Sequence, residues 1–212
     1  MWVRSKYASE LAVLSAWLAV FVPWNVAYHT QTWIRGDPSI EGSVFFFRFP
    51  FFELQLRSGS VVEAVGREAI EFDVSNLEAD AYPGTALFGE FFVTTPPQSL
   101  AFYESTLWQA SLLWMVASLA FAFAFALSIA LYLREGEVVE FLPVSQVRLM
   151  GALLGLGALG TGGASVLYYV ERDVVGLPIP VGVLVVGALA IVLLQTEEIP
   201  DDEAEESANQ TS

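Results

Sequence analysis

Three groups of residues in this chain have types and spacings that could do chemistry. Gly155-Leu-Gly-Ala-Leu-Gly160 fits the G-x-G-x-x-G pattern, whose glycines let a backbone cradle a dinucleotide pyrophosphate at a strand-to-helix turn. Gly163-Ala-Ser165 puts a serine in an apolar segment, where an adjacent base would make it an intramembrane nucleophile. His29, with Asp37 or Glu41 in the residues that follow, offers donors for a metal ion.

The surroundings weaken each of them. No strand precedes Gly155 and no acidic residue stands nearby to hold a ribose, so the glycines read as a surface for close helix packing: Gly151 with Gly155, Ala158 with Gly162 and Gly160 with Ala164 recur four apart. Ser165 has no base in reach, because the one histidine lies in a distant segment and the one lysine is Lys6. A single histidine without fixed ligand spacing is ordinary for a solvated loop. Ion relay needs ionisable groups facing a bundle interior, and the long apolar windows hold none at mid-depth. The expectation is therefore no catalytic, cofactor-binding or metal residue, no cofactor and no enzymatic activity.

The elements that would position such groups are written in the charge pattern. Glu104 and Arg134 bracket a long run without formal charge, and the pattern recurs between Glu10 and Arg35, Arg148 and Glu171, and Asp173 and Glu197. At about 1.5 Å per residue, each window is long enough to cross a hydrocarbon core of about 30 Å. With 55% hydrophobic and 16% charged residues the composition suits a membrane protein. The fold class expected is membrane α-helical: four transmembrane helices with a small β-rich extracellular insertion between the first and second spans.

In this scheme residues 1–28 are a cytoplasmic N-terminus and first span, 29–96 an external β-rich domain, 97–196 spans two to four, and 197–212 a disordered acidic cytoplasmic tail. Pro23 ends or kinks the first span, with Trp24 and Tyr28 as an aromatic belt. The second span would run from about Pro97 to Arg134 as one helix ending near Gly136. Its stripe of Ser118, Ala122, Ala126 and Ala130 would meet the Gly-rich third span, which starts after Ser145, with Gly182 and Gly187 drawing in the fourth. Asn209-Gln210-Thr211 matches a glycosylation sequon on the cytoplasmic side, where the match means little.

Between the first two windows, Phe47, Phe49 and Phe51 alternate with Arg48 and Pro50, and Phe52, Leu54 and Leu56 alternate with Glu53, Gln55 and Arg57. Period two predicts a strand whose facing flips near Phe51, as at a bulge. A re-entrant or interfacial role for the same Phe-rich run over 44–57 is the rival. Ser58-Gly59-Ser60 is a candidate turn, and the stretches around Ile70, Phe72 and Val74 and from Leu87 to Val93 are further candidate strands. An aromatic face on so small a sheet needs cover from the helices or a partner.

A net charge of −15, from 24 Asp and Glu against nine Lys and Arg, excludes a nucleic-acid partner, for which clustered cations are required. The acidic bias suits a salt-saturated setting, where screening within about 3 Å silences repulsion between carboxylates. The absence of cysteine excludes disulfides and thiolate chemistry. Arg4, Lys6, Arg134 and Arg148 on one side against Arg172 on the other put both termini in the cytoplasm of a multi-pass cell-membrane protein.

The start Trp2-Val-Arg-Ser-Lys-Tyr-Ala-Ser-Glu-Leu-Ala-Val-Leu-Ser-Ala-Trp-Leu18, with Phe47-Arg-Phe-Pro-Phe-Phe52, resembles a family of small uncharacterised multi-pass membrane proteins of haloarchaea. The resemblance implies a membrane setting and transfers no activity. The function expected is a non-enzymatic structural or interaction component that uses its external aromatic domain and small-residue helix faces. The alternative is a small transporter or channel subunit. Partners would be the lipid bilayer and a membrane protein or further copies of the chain.

Overall fold

The computed structural model describes residues 3–5, 7–33, 40–61, 82–88, 90–141 and 144–198. The chain runs β1 (Val3–Ser5), α1 (Ala8–Phe21), β2 (Asn25–Trp33), β3 (Ile40–Arg48), β4 (Glu53–Val61), β5 (Thr85–Phe88), β6 (Phe91–Thr94), α2 (Pro96–Phe102), α3 (Ser105–Phe141), α4 (Gln146–Val170), α5 (Arg172–Val175), β7 (Leu177–Ile179), α6 (Val181–Gln195) and β8 (Thr196–Glu198). Six strands form one antiparallel sheet in the order β5-β6-β4-β3-β2-β7, and β1 pairs in parallel with β8. The helices pack into a bundle beneath the sheet, with α4 between α3 and α6.

This architecture overturns the four-span expectation. Among the described residues only two helices, Ser105–Leu133 within α3 and Gln146–Val170, are long and apolar enough to cross a membrane. The helices α1 and α6 have 14 and 15 residues, and their length of about 21–22 Å falls short of a core of about 30 Å. The physical reason is that a charge-free window need not be all helix. Between Glu10 and Arg35 the helix stops at Phe21 before Pro23, and Asn25–Trp33 of the same window is strand β2. Between Asp173 and Glu197 the first third is spent on the end of α5, Gly176 at φ 77°, and β7 with Pro178.

Nor is the sheet an insertion confined between the first two helices. Its edge strand β7 comes from between α4 and α6 and pairs with β2 through Val26↔Ile179 and Tyr28↔Leu177. The expected long second helix is two helices. Thr95 starts α2 with its backbone N–H held by Gln98 Oε1 at 2.9 Å, but the helix ends at Phe102 and α3 restarts at Ser105, whose φ is 53°. Once started, α3 runs past Arg134 and Gly136 to Phe141, so that glycine does not stop it.

The flip of alternation near Phe51 is a chain reversal. Phe49 N–H bonds Phe52 O at 2.8 Å, closing a hairpin in which β3 and β4 pair from Arg48↔Glu53 out to Ile40↔Val61. A reversal shifts the phase of alternation as a bulge would, which is why the pattern alone could not separate them. Ser58, Gly59 and Ser60, expected as a turn, lie inside β4 opposite Ser43, Gly42 and Glu41. The candidate strand at Ile70, Phe72 and Val74 lies outside the described residues, whereas Leu87 to Val93 contributes to β5 and β6.

The helix core is built from alanine and glycine, which let backbones approach. Ala117, Phe121, Ala124 and Leu131 of α3, Met150, Leu154 and Ala158 of α4, and Val186, Ala190 and Leu193 of α6 are buried together with Ala8, Ala12, Ala16 and Ala19 of α1. The expected small stripe does not carry the α3 to α4 contact: Ala122 and Ala126 are exposed, and only Ser118 of that set is buried. The glycines of α4 instead divide between two neighbours. A Cβ on Gly157 would meet the Phe121 ring at 2.6 Å and one on Gly160 the Ala117 Cβ at 2.9 Å, while one on Gly151 would meet Leu193 of α6 at 3.0 Å.

Candidate functional site

A row of buried polar side chains crosses the inner face of the sheet where it meets the bundle. Asn25, Arg48, Glu53 and Thr94 stand opposite one another in successive strands, and all four are almost wholly buried. Arg48 Nε and Glu53 Oε2 form an ion pair at 2.5 Å. Arg48 also donates from Nη1 to Asn25 Oδ1 at 3.0 Å, and Asn25 Nδ2 donates to Ser165 Oγ of α4 at 3.4 Å. Its guanidinium lies 4.2 Å from the centroid of the Tyr168 ring, also from α4.

Isolated charges at such burial would be very costly, so the pairing is what makes this row possible. Burial is the largest single influence and works against the Arg48 cation, but the Glu53 carboxylate together with Tyr168 and Tyr103 outweighs it and holds the Arg48 pKa above its ordinary value. The neighbouring Tyr103, between α2 and α3, is held well above the usual phenol range, first by burial and then by the Glu53 charge.

The row continues up β4. Glu53, Gln55 and Arg57 alternate onto the same inner face, and all three are buried. Gln55 Nε2 donates to Glu53 Oε1 at 2.6 Å and to Pro83 O at 2.9 Å, while Gln55 Oε1 accepts from Arg57 Nε at 2.9 Å. Arg57 lies 3.9 Å from the centroid of the Phe92 ring. Tyr82, beside it, donates to Val174 O of α5 at 3.1 Å, so this end of the row is also fastened to the helices.

Below the row, residues 49–52 at the tip of the β3–β4 hairpin push into the bundle. Trp24 Nε1 donates to Phe49 O at 3.1 Å, Trp114 Nε1 to Pro50 O at 3.0 Å, and Ser118 Oγ to Pro50 O. Ser118 lies 13 residues into α3 from Ser105, or about 20 Å along its axis, so the tip reaches deep into the bundle. Phe51 packs against the alanine-rich core there. The Phe-rich run is thus two strands joined by a turn that enters the bundle. Indole N–H groups satisfy turn carbonyls that would otherwise be buried without donors.

The opposite face of the sheet carries the apolar residues. One row runs Leu177, Tyr28, Phe45, Leu56, Phe91 and Phe88 across all six strands, and a second runs Ile179, Val26, Phe47, Leu54 and Val93. Tyr28 is 48% exposed, Phe45 39% and Phe91 38%, on a sheet whose arginines are 1–2% exposed. The usual polarity of a one-sided sheet is inverted.

The sequence candidates fall elsewhere. Gly155 to Gly160 are helical residues packed on α3 and α6, with no strand leading into them. Ser165 accepts from Asn25 and belongs to the polar row, without a histidine or lysine in that row. His29 sits in β2 opposite Val44, Glu41 sits in β3 opposite Thr32, and Asp37 is outside the described residues. No group of metal-ligating side chains forms among the described residues. A groove of about 430 Å³ between α1 and α3, lined by Ser9, Glu10, Val13, Leu14, Leu131 and Tyr132, brings one carboxylate to an apolar wall.

The alternation of Glu53, Gln55 and Arg57 is legible in the sequence, but its inward facing is not. The signal that could have found it is Arg48, on the preceding strand and five residues before Glu53, where a hairpin with a four-residue tip puts the two opposite each other.

A family model, DUF7549, described as a family of unknown function, matches residues 1–198. The chain belongs to DUF7549. No curated protein matches it. The DUF7549 match extends over every strand and helix described above, from Val3 to Glu198, and so includes both the polar row and the inverted sheet.

Proposed function

We propose that this chain is a non-enzymatic structural component of the cell membrane, held in lipid by its apolar helices and carrying a sheet fixed to them in one orientation. The observation that supports the reading is where the polarity lies. Arg48, Glu53 and Arg57 of the sheet are sealed against the bundle, while the outward sides of the helices are apolar: Leu14 and Phe21 on α1, Leu119 and Phe123 on α3, Leu159 and Val166 on α4, and Leu184 and Ile191 on α6 are 57–78% exposed. So continuous an apolar perimeter is the reverse of what water favours. The long helices α3 and α4 are the membrane-crossing elements in this reading.

Parallel pairing of Val3–Ser5 with Thr196–Glu198 supports one side for both ends of the described chain. The bias of Arg and Lys toward that end makes it the cytoplasmic side. The acidic composition and the resemblance at residues 2–18 and 47–52 support a haloarchaeal setting for the family. A saturated polar row, each charge already engaged, supports a connecting role over a catalytic one.

Fractionation of cells expressing the full chain tests the reading. The protein should stay with membranes through an alkaline carbonate wash and be released by detergent. Recovery of a monodisperse protein in the detergent-free supernatant would overturn it.

A further inference from the structure

We infer that the outer face of the sheet is a lipid-contact surface seated at the far boundary of the bilayer, where it completes the depth that α1 and α6 do not cover. The inference rests on the membrane reading above and assigns the sheet a place within it.

The geometry carries it in three steps. The β1–β8 pair joins the segment entering α1 to the segment leaving α6, so the lower ends of these helices are side by side. Their upper ends also meet, because a Cβ on Gly182 would lie 2.5 Å from Pro23 O. At 14 and 15 residues both helices rise about 21–22 Å and leave about 8 Å of a core of about 30 Å uncovered.

The chain then continues into the sheet at both places, from α1 through Val22, Pro23 and Trp24 to Asn25 in β2, and back from Ile179 in β7 through Pro180 to α6. Eight ångströms is about two to three strand residues at about 3.3 Å each. Two outer rows follow, at Val26 and at Tyr28, and no charged residue stands among Val26, Tyr28, Phe45, Phe47, Leu54, Leu56, Phe91, Val93, Leu177 and Ile179.

The third outer row is polar. Thr30 stands opposite Ser43, and Ser43 opposite Ser58. The face therefore changes from apolar to hydroxyl-bearing just above the level where the missing depth runs out, with the row of Tyr28, Phe45 and Leu177 in between. Tyr28 and Phe45, with ring centroids 4.4 Å apart, stand in the last apolar row, the level at which aromatic side chains collect at a membrane boundary. A protein partner would account for an apolar patch, but not for its ending at the height set by two short helices. Lipid also explains the inverted polarity, since only the outward face meets it.

The chain has no cysteine, so single-cysteine variants of the full protein can each carry one nitroxide label. F45C and F91C probe the last apolar row, S43C and S58C the polar row, and F123C the exposed flank of α3, with F47C as a second apolar probe should one variant fail to assemble. Each is reconstituted in vesicles of phosphatidylcholine and phosphatidylglycerol in equal parts, and collisions with oxygen and with a water-soluble nickel chelate are measured. The ratio of oxygen to nickel collisions should be several-fold higher at positions 45, 91 and 123 than at 43 and 58. Nickel access at 45 and 91 equal to that at 43, with 123 still oxygen-rich, would overturn the inference and leave the membrane reading standing. Nickel access at 123 would remove the membrane reading itself. Dipolar broadening at 45 or 91, with both collision partners excluded, would mean that a second copy covers the face, and would also overturn the inference.

Discussion

Arg48 and Glu53 face each other across the β3–β4 ladder and pair at 2.5 Å, with side chains 1% and 5% exposed. Neither charge has an alternative in water, so each is fixed by the other and by the bonds around it. This makes the junction between sheet and bundle intolerant of single changes but tolerant of matched ones.

The first prediction follows from that asymmetry. E53A leaves a buried guanidinium without its carboxylate and should cost about 3–5 kcal/mol in reversible unfolding in detergent micelles. R48A should cost a similar amount. R48M/E53L, which removes both charges and keeps apolar volume, should lose far less than the sum of the two single losses. Additive losses in the double-mutant cycle would show that the pair is not coupled.

Hairpin docking gives the second. W114F with S118A deletes both donors to Pro50 O while keeping an aromatic ring, and the cost of a buried unsatisfied carbonyl is about 1–3 kcal/mol. Phe49 O keeps a donor in Trp114 when the Trp24 indole is lost, so W24F should cost less than W114F/S118A. Equal and negligible losses in unfolding free energy would place the tip outside the bundle.

The glycines of α4 and α6 give a contrast of sign. Gly157 faces the Phe121 ring, and G157A should destabilise by about 1–3 kcal/mol because an aromatic side chain in the core must move. Gly187 has its nearest neighbour, Ala158 Cβ, at 4.0 Å, so G187A should stabilise by up to about 1 kcal/mol through helix propensity alone. Thermal unfolding of the two variants in one detergent decides it.

Alkaline unfolding supplies a fourth. Tyr103 has a folded-state pKa well above 10.0, mainly through burial, so it contributes stability that is complete below the unfolded value and is lost as pH rises through the folded one. Unfolding free energy should therefore fall above about pH 10. Y103F should reduce that slope, and an unchanged slope would mean that this phenol does not contribute.

Much of the local structure could be read from residue order, and much of the assembly could not. Ser145 stands at the N-cap position of α4, Pro50 falls at the irregularity between two alternating runs, and the stretch from Leu87 to Val93 contributes to β5 and β6. What misled was treating charge-free length as helix length. Asn25 to Trp33 is as free of charge as a lipid-facing helix, but its backbone pairs with β3 and β7, and periodicity in so apolar a run does not discriminate the two.

The junction was harder still. Arg48, Glu53, Gln55 and Arg57 alternate with Phe and Leu, and the ordinary rule turns the apolar set inward. Here the bundle supplies Ser165 and Tyr168 as partners from more than a hundred residues away, and these contacts reverse the facing. No local pattern encodes them.

The inverted face is tested most directly by a photoreactive benzoyl-phenylalanine placed at Phe45 in the full chain and activated in native membranes. Adducts with lipid, identified by mass spectrometry and lost when the reporter is moved to Ser43, are the predicted result. Adducts with a protein, whether a second copy or another chain, or no difference between the two positions, would contradict a sheet whose apolar side belongs to the bilayer.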